Sequence, residues 1–116
     1  MGDMTKNFSR HEFACKCGCG LDNISAKLVL ILQEVRDHFG LPIKVNSGLR
    51  CPKKNKKVGG AKNSQHLFGK AADIQIPGVS PKSIANYANT LMPGWGGIKP
   101  YKTFTHIDVR SGSWRG

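Results

Sequence analysis

The sequence has few acidic residues and no long apolar run. Of its 116 residues only 7 are Asp or Glu, against 18 Lys or Arg, so the formal net charge is +11. A membrane-spanning helix needs a run of about 18 or more apolar residues, and the sequence contains none, so we expect no transmembrane segment. The positive charge favours polyanionic partners, namely nucleic acid, anionic lipid or an anionic cell wall.

The start of the sequence, "MGDMTKNFSRHEF", lacks the apolar segment that defines a secretory signal peptide. We therefore expect a protein that stays in the cytoplasm until it is released, or that reaches the outside by another route. No repeat or low-complexity segment occurs, and the length suits one domain over residues 1–116. A monomer is the default expectation.

The densest basic run is "RCPKKNKKVGGAK", residues 50–62. It has no interleaved aromatic residues, on which proteins that bind single-stranded nucleic acid stack the bases. The alternative hypothesis of a lysine-driven nucleic-acid-binding protein is therefore weak, and we expect no specific nucleic-acid partner.

Four cysteines are present. Cys15, Cys17 and Cys19 fall within "CKCGC", and Cys51 is separate. This is not the Cys-x-x-Cys spacing of a zinc knuckle. A disulfide within the cluster, a link from the cluster to Cys51, a structural metal and free thiols in a reducing compartment all remain open.

Hydrophobic periodicity predicts two helices. "SAKLVLILQEVRDHFG" carries an apolar stripe at helical spacing, with Ser25 as N-cap and Gly40 as the residue that ends the helix. "SPKSIANYANTLM" is similar, with Ser80 as N-cap and Pro81 at the first helical position.

Alternating patterns predict three strands, "IKVNS" (residues 43–47), "AADIQI" (residues 71–76) and "TFTHIDVR" (residues 103–110). The segment "GWGGIKPY", residues 94–101, is predicted to be a turn-rich link. Short strands with interposed helices indicate a small α+β domain.

Polar residues on two of these strands form a candidate metal site. A period of two places His106, Asp108 and Arg110 on one face of the third strand, and Asp73 on the polar side of the second. If the two strands are neighbours with polar faces aligned, His66, Asp73 and His106 can converge. Singly, a loop histidine is usually just exposed and a strand-end aspartate usually forms a turn, but all three occupy predicted polar positions.

A His/Asp/His set suits zinc, because imidazole and carboxylate both bind it at about 2.0–2.2 Å. Three protein ligands leave a fourth position for water, which is the catalytic arrangement, and zinc lowers the pKa of that water to about 7. Asp108, two residues beyond His106, is a candidate general base or a partner that orients the ligand imidazole.

The segments "SGLRCPKKN", "VGGAKNSQHLFGKAADI" and "FTHIDVR" resemble the M15 metallopeptidases, and in particular their small D-Ala-D-Ala carboxypeptidase-like branch. The N-terminal "NFSRHEFACKCGCG" is also similar to the entry segment of that family. The matching positions are Ser47, Gly48 and Arg50; Ser64, His66, Gly69, Ala71 and Asp73; and His106 and Asp108.

The resemblance implies a zinc peptidase acting on bacterial peptidoglycan stem peptides, either trimming a terminal D-Ala or cutting the L-Ala-D-Glu linkage, as many phage and prophage endolysins do. It implies the fold shared with hedgehog proteins, a small antiparallel sheet flanked by helices. His66, Asp73 and His106 would be the zinc ligands. Arg50 would hold the substrate carboxylate or the developing oxyanion, and Ser64 would donate to substrate or to a ligand.

The sequence departs from better-known branches at the general base. Several carry a glutamate three positions before the last ligand, and others a second histidine two positions away, whereas Thr103 and Phe104 stand there. Asp108 is the predicted base. The missing glutamate also keeps an alternative open, a non-catalytic wall-binding module in which zinc serves folding.

Overall fold

A computed structural model describes residue 8 and residues 10–13, 24–48 and 70–115. A 3-10 turn (Arg10–Phe13) precedes two helices, α1 (Ala26–Phe39) and α2 (Pro81–Leu91), and the strands are β1 (Lys44–Ser47), β2 (Ala71–Gln75), β3 (Gly96–Pro100), β4 (Thr105–Asp108) and β5 (Ser113–Trp114). In this described part of the chain, neither helix has the length and apolar character needed to cross a membrane.

The five strands form one sheet in the order β1-β2-β4-β3-β5. All neighbouring strands are antiparallel except β3 and β5, which run parallel. The small α+β fold is therefore confirmed, although the sheet is mixed rather than purely antiparallel and has two strands more than the sequence pattern predicts.

Both helices begin and end where the sequence predicts. The backbone N–H of Leu28 donates to Ser25 Oγ at 3.4 Å, and Gly40 ends α1 in the left-handed region at φ 65°, which glycine adopts at little cost. Ser80 caps α2, with Pro81 in its first turn.

The prediction of a link over residues 94–101 is wrong, because Gly96–Pro100 is strand β3. Glycine and proline are depleted in strands, so the composition pointed to a turn. Pairing decides otherwise: β3 lies between β4 and β5 and is hydrogen-bonded to both.

The sheet has one apolar face and one polar face. Ile74, Ile98 and Ile107, on three neighbouring strands, are buried in the core that the two helices share. Thr105 points the same way, since its hydroxyl donates to the carbonyl of Pro81 at 2.8 Å. The helices therefore cover this face, and the alternate residues of each strand project from the opposite face.

Candidate functional site

The register of the sheet assembles a row of polar residues on the face opposite the helices. Asp73 on β2 is directly across from His106 on β4, and Lys99 on β3 is directly across from the same histidine. Opposed residues of antiparallel strands project from the same face. Asp73, His106 and Lys99 thus lie side by side. The second and third strands predicted from the sequence, which are β2 and β4, are neighbours in the sheet with their polar faces aligned.

His106 lies between two carboxylates. Its Nδ1 is 3.0 Å from Oδ1 of Asp73, and its Nε2 is 2.7 Å from Oδ2 of Asp108. Only 11% of the side-chain surface of His106 is exposed, and Asp108 has none. Each ring nitrogen therefore has a fixed acidic neighbour, and the ring plane is determined from both sides.

These carboxylates determine the charge of the imidazole. Burial lowers the pKa of His106, but hydrogen bonds to Asp108 and Asp73 and their negative charges raise it further than burial lowers it, so the net shift is upward. A positive charge is thus favoured between the two carboxylates. The position that a proton occupies between Nδ1 and Asp73 is one that a metal cation could also occupy.

Asp108 is bonded to Arg110 as well as to His106. Arg110 donates to it through Nε at 2.8 Å, through Nη2 at 2.7 Å and through its backbone N–H at 3.1 Å. Burial raises the pKa of Asp108, but the hydrogen bonds from His106 and Arg110 hold that pKa well below its usual range. The carboxylate stays ionised because two cationic partners compensate its burial.

The burial of Asp108 corrects one expectation from the sequence. The sequence pattern puts Asp108 on one polar face with His106 and Arg110, and a polar face is normally exposed to water; Arg110 is indeed partly exposed, at 28% of its side chain. Asp108, on the same face, is fully covered. Strand alternation gives the face of a residue but not what covers it.

Gly97 makes room for this carboxylate. It is opposite Asp108 in the pairing of β3 with β4, and a β-carbon at this position would collide with the carboxylate of Asp108. The side chain of Asp108 thus lies across the backbone of β3, which only glycine allows.

Trp114 borders the site and was not identified from the sequence. Its ring meets His106 edge-on, with centroids 5.5 Å apart and planes at 81°. The guanidinium of Arg110 lies 4.9 Å from the centroid of the same ring, a cation–π distance. The parallel pairing of Gly97 with Trp114 places the ring there, and a two-residue strand has no periodicity from which to predict it.

Several predicted site residues lie outside the described residues: Arg50, Ser64, His66 and the four cysteines. In the ranges that the structure does describe, no three His, Cys, Asp or Glu side chains are arranged to hold a metal ion. The described site thus contains two of the three predicted ligands, Asp73 and His106, in contact with one another.

Comparisons with known proteins identify a peptidase family. A model of the family described as peptidase M15 matches residues 6–108. Over 44 residues the chain is 50% identical to the zinc D-Ala-D-Ala carboxypeptidase of Streptomyces albus G, a match that covers 37% of this chain and 17% of that protein.

A second relative is the probable peptidoglycan L,D-endopeptidase MepK of Haemophilus influenzae. The identity is 41% over 51 residues, which is 44% of this chain and 27% of that protein. The matched segments therefore span well under a third of either relative.

Proposed function

Because the chain belongs to the peptidase M15 family, we propose that it is a zinc-dependent peptidase that hydrolyses peptidoglycan stem peptides. The observation that supports this most directly is the pair of Asp73 and His106, whose Oδ1 and Nδ1 atoms are 3.0 Å apart on adjacent strands. Both belong to the ligand set that the sequence pattern predicts.

The two donors suit zinc in kind and in spacing. One is a carboxylate oxygen and the other an imidazole nitrogen, the types that catalytic zinc sites combine. With bonds of about 2.0–2.2 Å at tetrahedral angles, two ligand atoms lie about 3.3–3.6 Å apart, a few tenths of an ångström more than the 3.0 Å that separates these two atoms. His66 is the proposed third ligand, and the zinc supplies a Lewis acid that polarises the scissile carbonyl and activates water.

Asp108 has a positioning role in this proposal. Of the two functions that the sequence suggests for it, general base or orienting partner, its full burial and its bonds to Arg110 favour the second. A carboxylate that accepts from the far nitrogen of a ligand histidine fixes the ring and its tautomer. With Nδ1 directed toward Asp73 and the metal, the Nε2–H of His106 donates to Asp108.

Two further contributions to substrate binding are proposed, one from Arg50 and Ser64, which lie outside the described residues, and one from the charge of the whole chain. Arg50 is proposed to bind a substrate carboxylate or the developing oxyanion, and Ser64 to donate a hydrogen bond. The net charge of +11 would concentrate the protein on an anionic cell wall.

The two relatives carry different activities in their names, a D-Ala-D-Ala carboxypeptidase and an L,D-endopeptidase. We propose that one of these two kinds of stem-peptide bond is the substrate of this chain. A lysin that works on the wall after release from the cytoplasm is consistent with either bond.

Mass spectrometry of muropeptides, before and after incubation of peptidoglycan with the pure protein, tests the proposal. Released D-Ala identifies a carboxypeptidase, and new amino termini identify an endopeptidase. Chelator should abolish the reaction, and added zinc should restore it.

The matched control compares two histidines. His106→Ala should lose hydrolysis together with bound zinc, measured by elemental analysis, whereas His38→Ala, on the exposed side of α1, should keep both. Unimpaired hydrolysis by metal-stripped protein would overturn the proposal. Wall binding without release of any product would instead identify the non-catalytic module.

A further inference from the structure

The turn between β3 and β4 carries a pair of stacked aromatic rings. The backbone N–H of Tyr101 donates to the carbonyl of Phe104 at 2.8 Å, which closes the hairpin. The two rings are nearly parallel, with centroids 4.7 Å apart and planes at 17°. Together they form an apolar surface at the end of the hairpin, the aromatic surface.

This surface lies on the same face of the sheet as the candidate metal site. Tyr101 and Phe104 each lie one residue beyond the end of a strand, and their backbone hydrogen bond continues the pairing of β3 with β4. Tyr101 is two residues after Lys99 and Phe104 two residues before His106, so continued alternation puts all four on one side, as the contact of Lys99 with the ring of Tyr101 also indicates. Two residues along a strand span about 7 Å. The stacked rings thus adjoin the row of Asp73, His106 and Lys99.

Lys99 connects the two parts. It is paired with His106 across the sheet, and its ammonium group lies 5.3 Å from the centroid of Tyr101. The positive charge of Lys99 therefore lies against the aromatic surface, on a residue that is paired with His106. Among the described residues, no carboxylate forms an ion pair with Lys99.

Gln75 fixes the hairpin to the strand that carries Asp73. Its side-chain amide donates to the carbonyl of Thr103, in the turn, at 2.7 Å. The aromatic surface is thereby tied to β2 as well as to β3 and β4. Its distance from Asp73 is set by the sheet rather than by a loose loop.

The exposure of Tyr101 requires an explanation. In the described ranges it is one of three large apolar side chains that are exposed, at 41%, and the other two, Leu30 and Leu41, belong to α1 and the segment after it. Tyrosine is enriched at binding surfaces because its ring is apolar while its hydroxyl group can stay in water, and Tyr101 lies beside both a cation and the candidate site.

We propose that Lys99, Tyr101 and Phe104 form a subsite for an acidic peptide segment of the substrate, next to the scissile bond. Lys99 binds a carboxylate of that segment, and the stacked rings contact the adjoining peptide backbone and aliphatic groups. The inference rests on the proposed function, and it names the part of the substrate that this chain recognises. Charge complementarity and continuity with the site select an acidic peptide as occupant.

The test uses the whole protein and two soluble stem peptides that differ at one internal acidic side chain, a free carboxylate in one and an amide in the other, and that share the same free C-terminal carboxylate. Lys99→Ala should raise KM for the free-acid peptide about fivefold, the upper range for a partly exposed charge pair. It should leave kcat for that peptide, and KM for the amide peptide, unchanged. Lys99→Arg should restore the KM of the unmodified protein. Tyr101→Ala should raise KM for both peptides, because its contact does not depend on charge.

Lys82→Ala is the matched control. It removes the same charge from an exposed position of α2, on the other side of the sheet, and should change neither KM. Equal effects of Lys99→Ala and Lys82→Ala on the free-acid peptide would overturn the subsite, as would equal effects of Lys99→Ala on the two peptides.

Binding of both peptides by calorimetry separates this inference from the proposed function. If the protein hydrolyses neither peptide but binds the free acid less tightly after Lys99→Ala, the subsite stands and the peptidase proposal falls. If hydrolysis is observed and the substitution changes neither KM nor binding, only the subsite is overturned. Absence of both hydrolysis and binding would overturn both.

Discussion

Nε2 of His106 lies 2.7 Å from Oδ2 of Asp108, and that same oxygen accepts a hydrogen bond from Nη2 of Arg110 at 2.7 Å. The imidazole is therefore held from behind by a buried carboxylate that is itself held by a guanidinium. The opposite nitrogen, Nδ1, faces Asp73. A substitution of Asp108 should therefore alter the orientation of the ring and the affinity of Nδ1 for a metal ion.

Replacing Asp108 with Asn should weaken zinc binding about 10- to 100-fold, the usual effect of removing a carboxylate behind a ligand histidine. The free energy of unfolding of the metal-free protein should fall by about 1.5–3 kcal/mol, since hydrogen bonds to a charged group are lost. Competition with a chromophoric chelator measures the first effect, and urea denaturation the second. Asp37→Asn is the control, because Asp37 is an exposed residue of α1. Equal zinc affinity in the two variants would contradict the positioning role.

Replacing Gly97 with Ala should reduce the free energy of unfolding by about 1–3 kcal/mol, the range for overpacking. The added methyl group meets the carboxylate of Asp108. That carboxylate is fully buried, so it has no free space into which it could move. Gly112→Ala is the matched control, since a β-carbon there has nothing within 4 Å. Denaturation midpoints of the two variants that agree would show that Asp108 does not depend on this glycine.

The metal-free protein should lose stability as pH rises above 6.5, the ordinary pKa of histidine. The folded-state pKa of His106 is raised, so its stabilising contribution is complete below 6.5 and disappears as pH passes through the raised value. One such group changes the free energy of unfolding by at most about 1.4 kcal/mol per pH unit. Urea denaturation from about pH 6 to about pH 9 measures the slope.

His106→Gln should remove that loss of stability at alkaline pH, because glutamine does not titrate. An alkaline slope that persists in the variant would mean that another group causes it.

At acid pH, stability should depend on Asp108 in the opposite sense. Because the folded-state pKa of Asp108 is lowered, its contribution to the free energy of unfolding is present above the ordinary aspartate pKa and is lost as pH falls toward the folded-state value.

Trp114 should report on the metal site by fluorescence. In a Trp95→Phe variant the remaining tryptophan is edge-on to His106 at 5.5 Å, so zinc binding, which removes the positive charge from that imidazole, should change its emission. In Trp114→Phe the remaining Trp95 has Lys27 above its ring at 4.3 Å and should respond little. A zinc response of equal size in both variants would place the ion elsewhere.

Sequence patterns were sufficient where local chemistry determines the structure. Ser25 and Gly40 determine the ends of α1 because capping and a positive φ act within one turn. Alternation along β2 and β4 was sufficient to put Asp73 and His106 on polar faces. Their direct opposition is a property of register, and only the structure supplies it.

The parts that sequence patterns missed depend on distant partners. Strand β3 has Gly96, Gly97 and Pro100, an unfavourable composition for a strand, and it forms because two other strands pair with it. The burial of Asp108 depends on Arg110 and on the missing side chain at Gly97, which no periodicity encodes. The ligand role of His66 stays a prediction, since that residue lies outside the described residues.

The division of the sheet into two faces has a consequence for altering specificity. Neighbouring positions on a strand serve separate tasks, so site-facing residues such as Lys99 and Tyr101 can be exchanged while Ile98 and the helix packing behind it are left intact. Gly97 and Asp108 are the exception, because there a side chain crosses a neighbouring backbone. Libraries that vary Lys99 and Tyr101 and hold Asp73, His106, Gly97 and Asp108 constant would explore new substrates at little risk to folding.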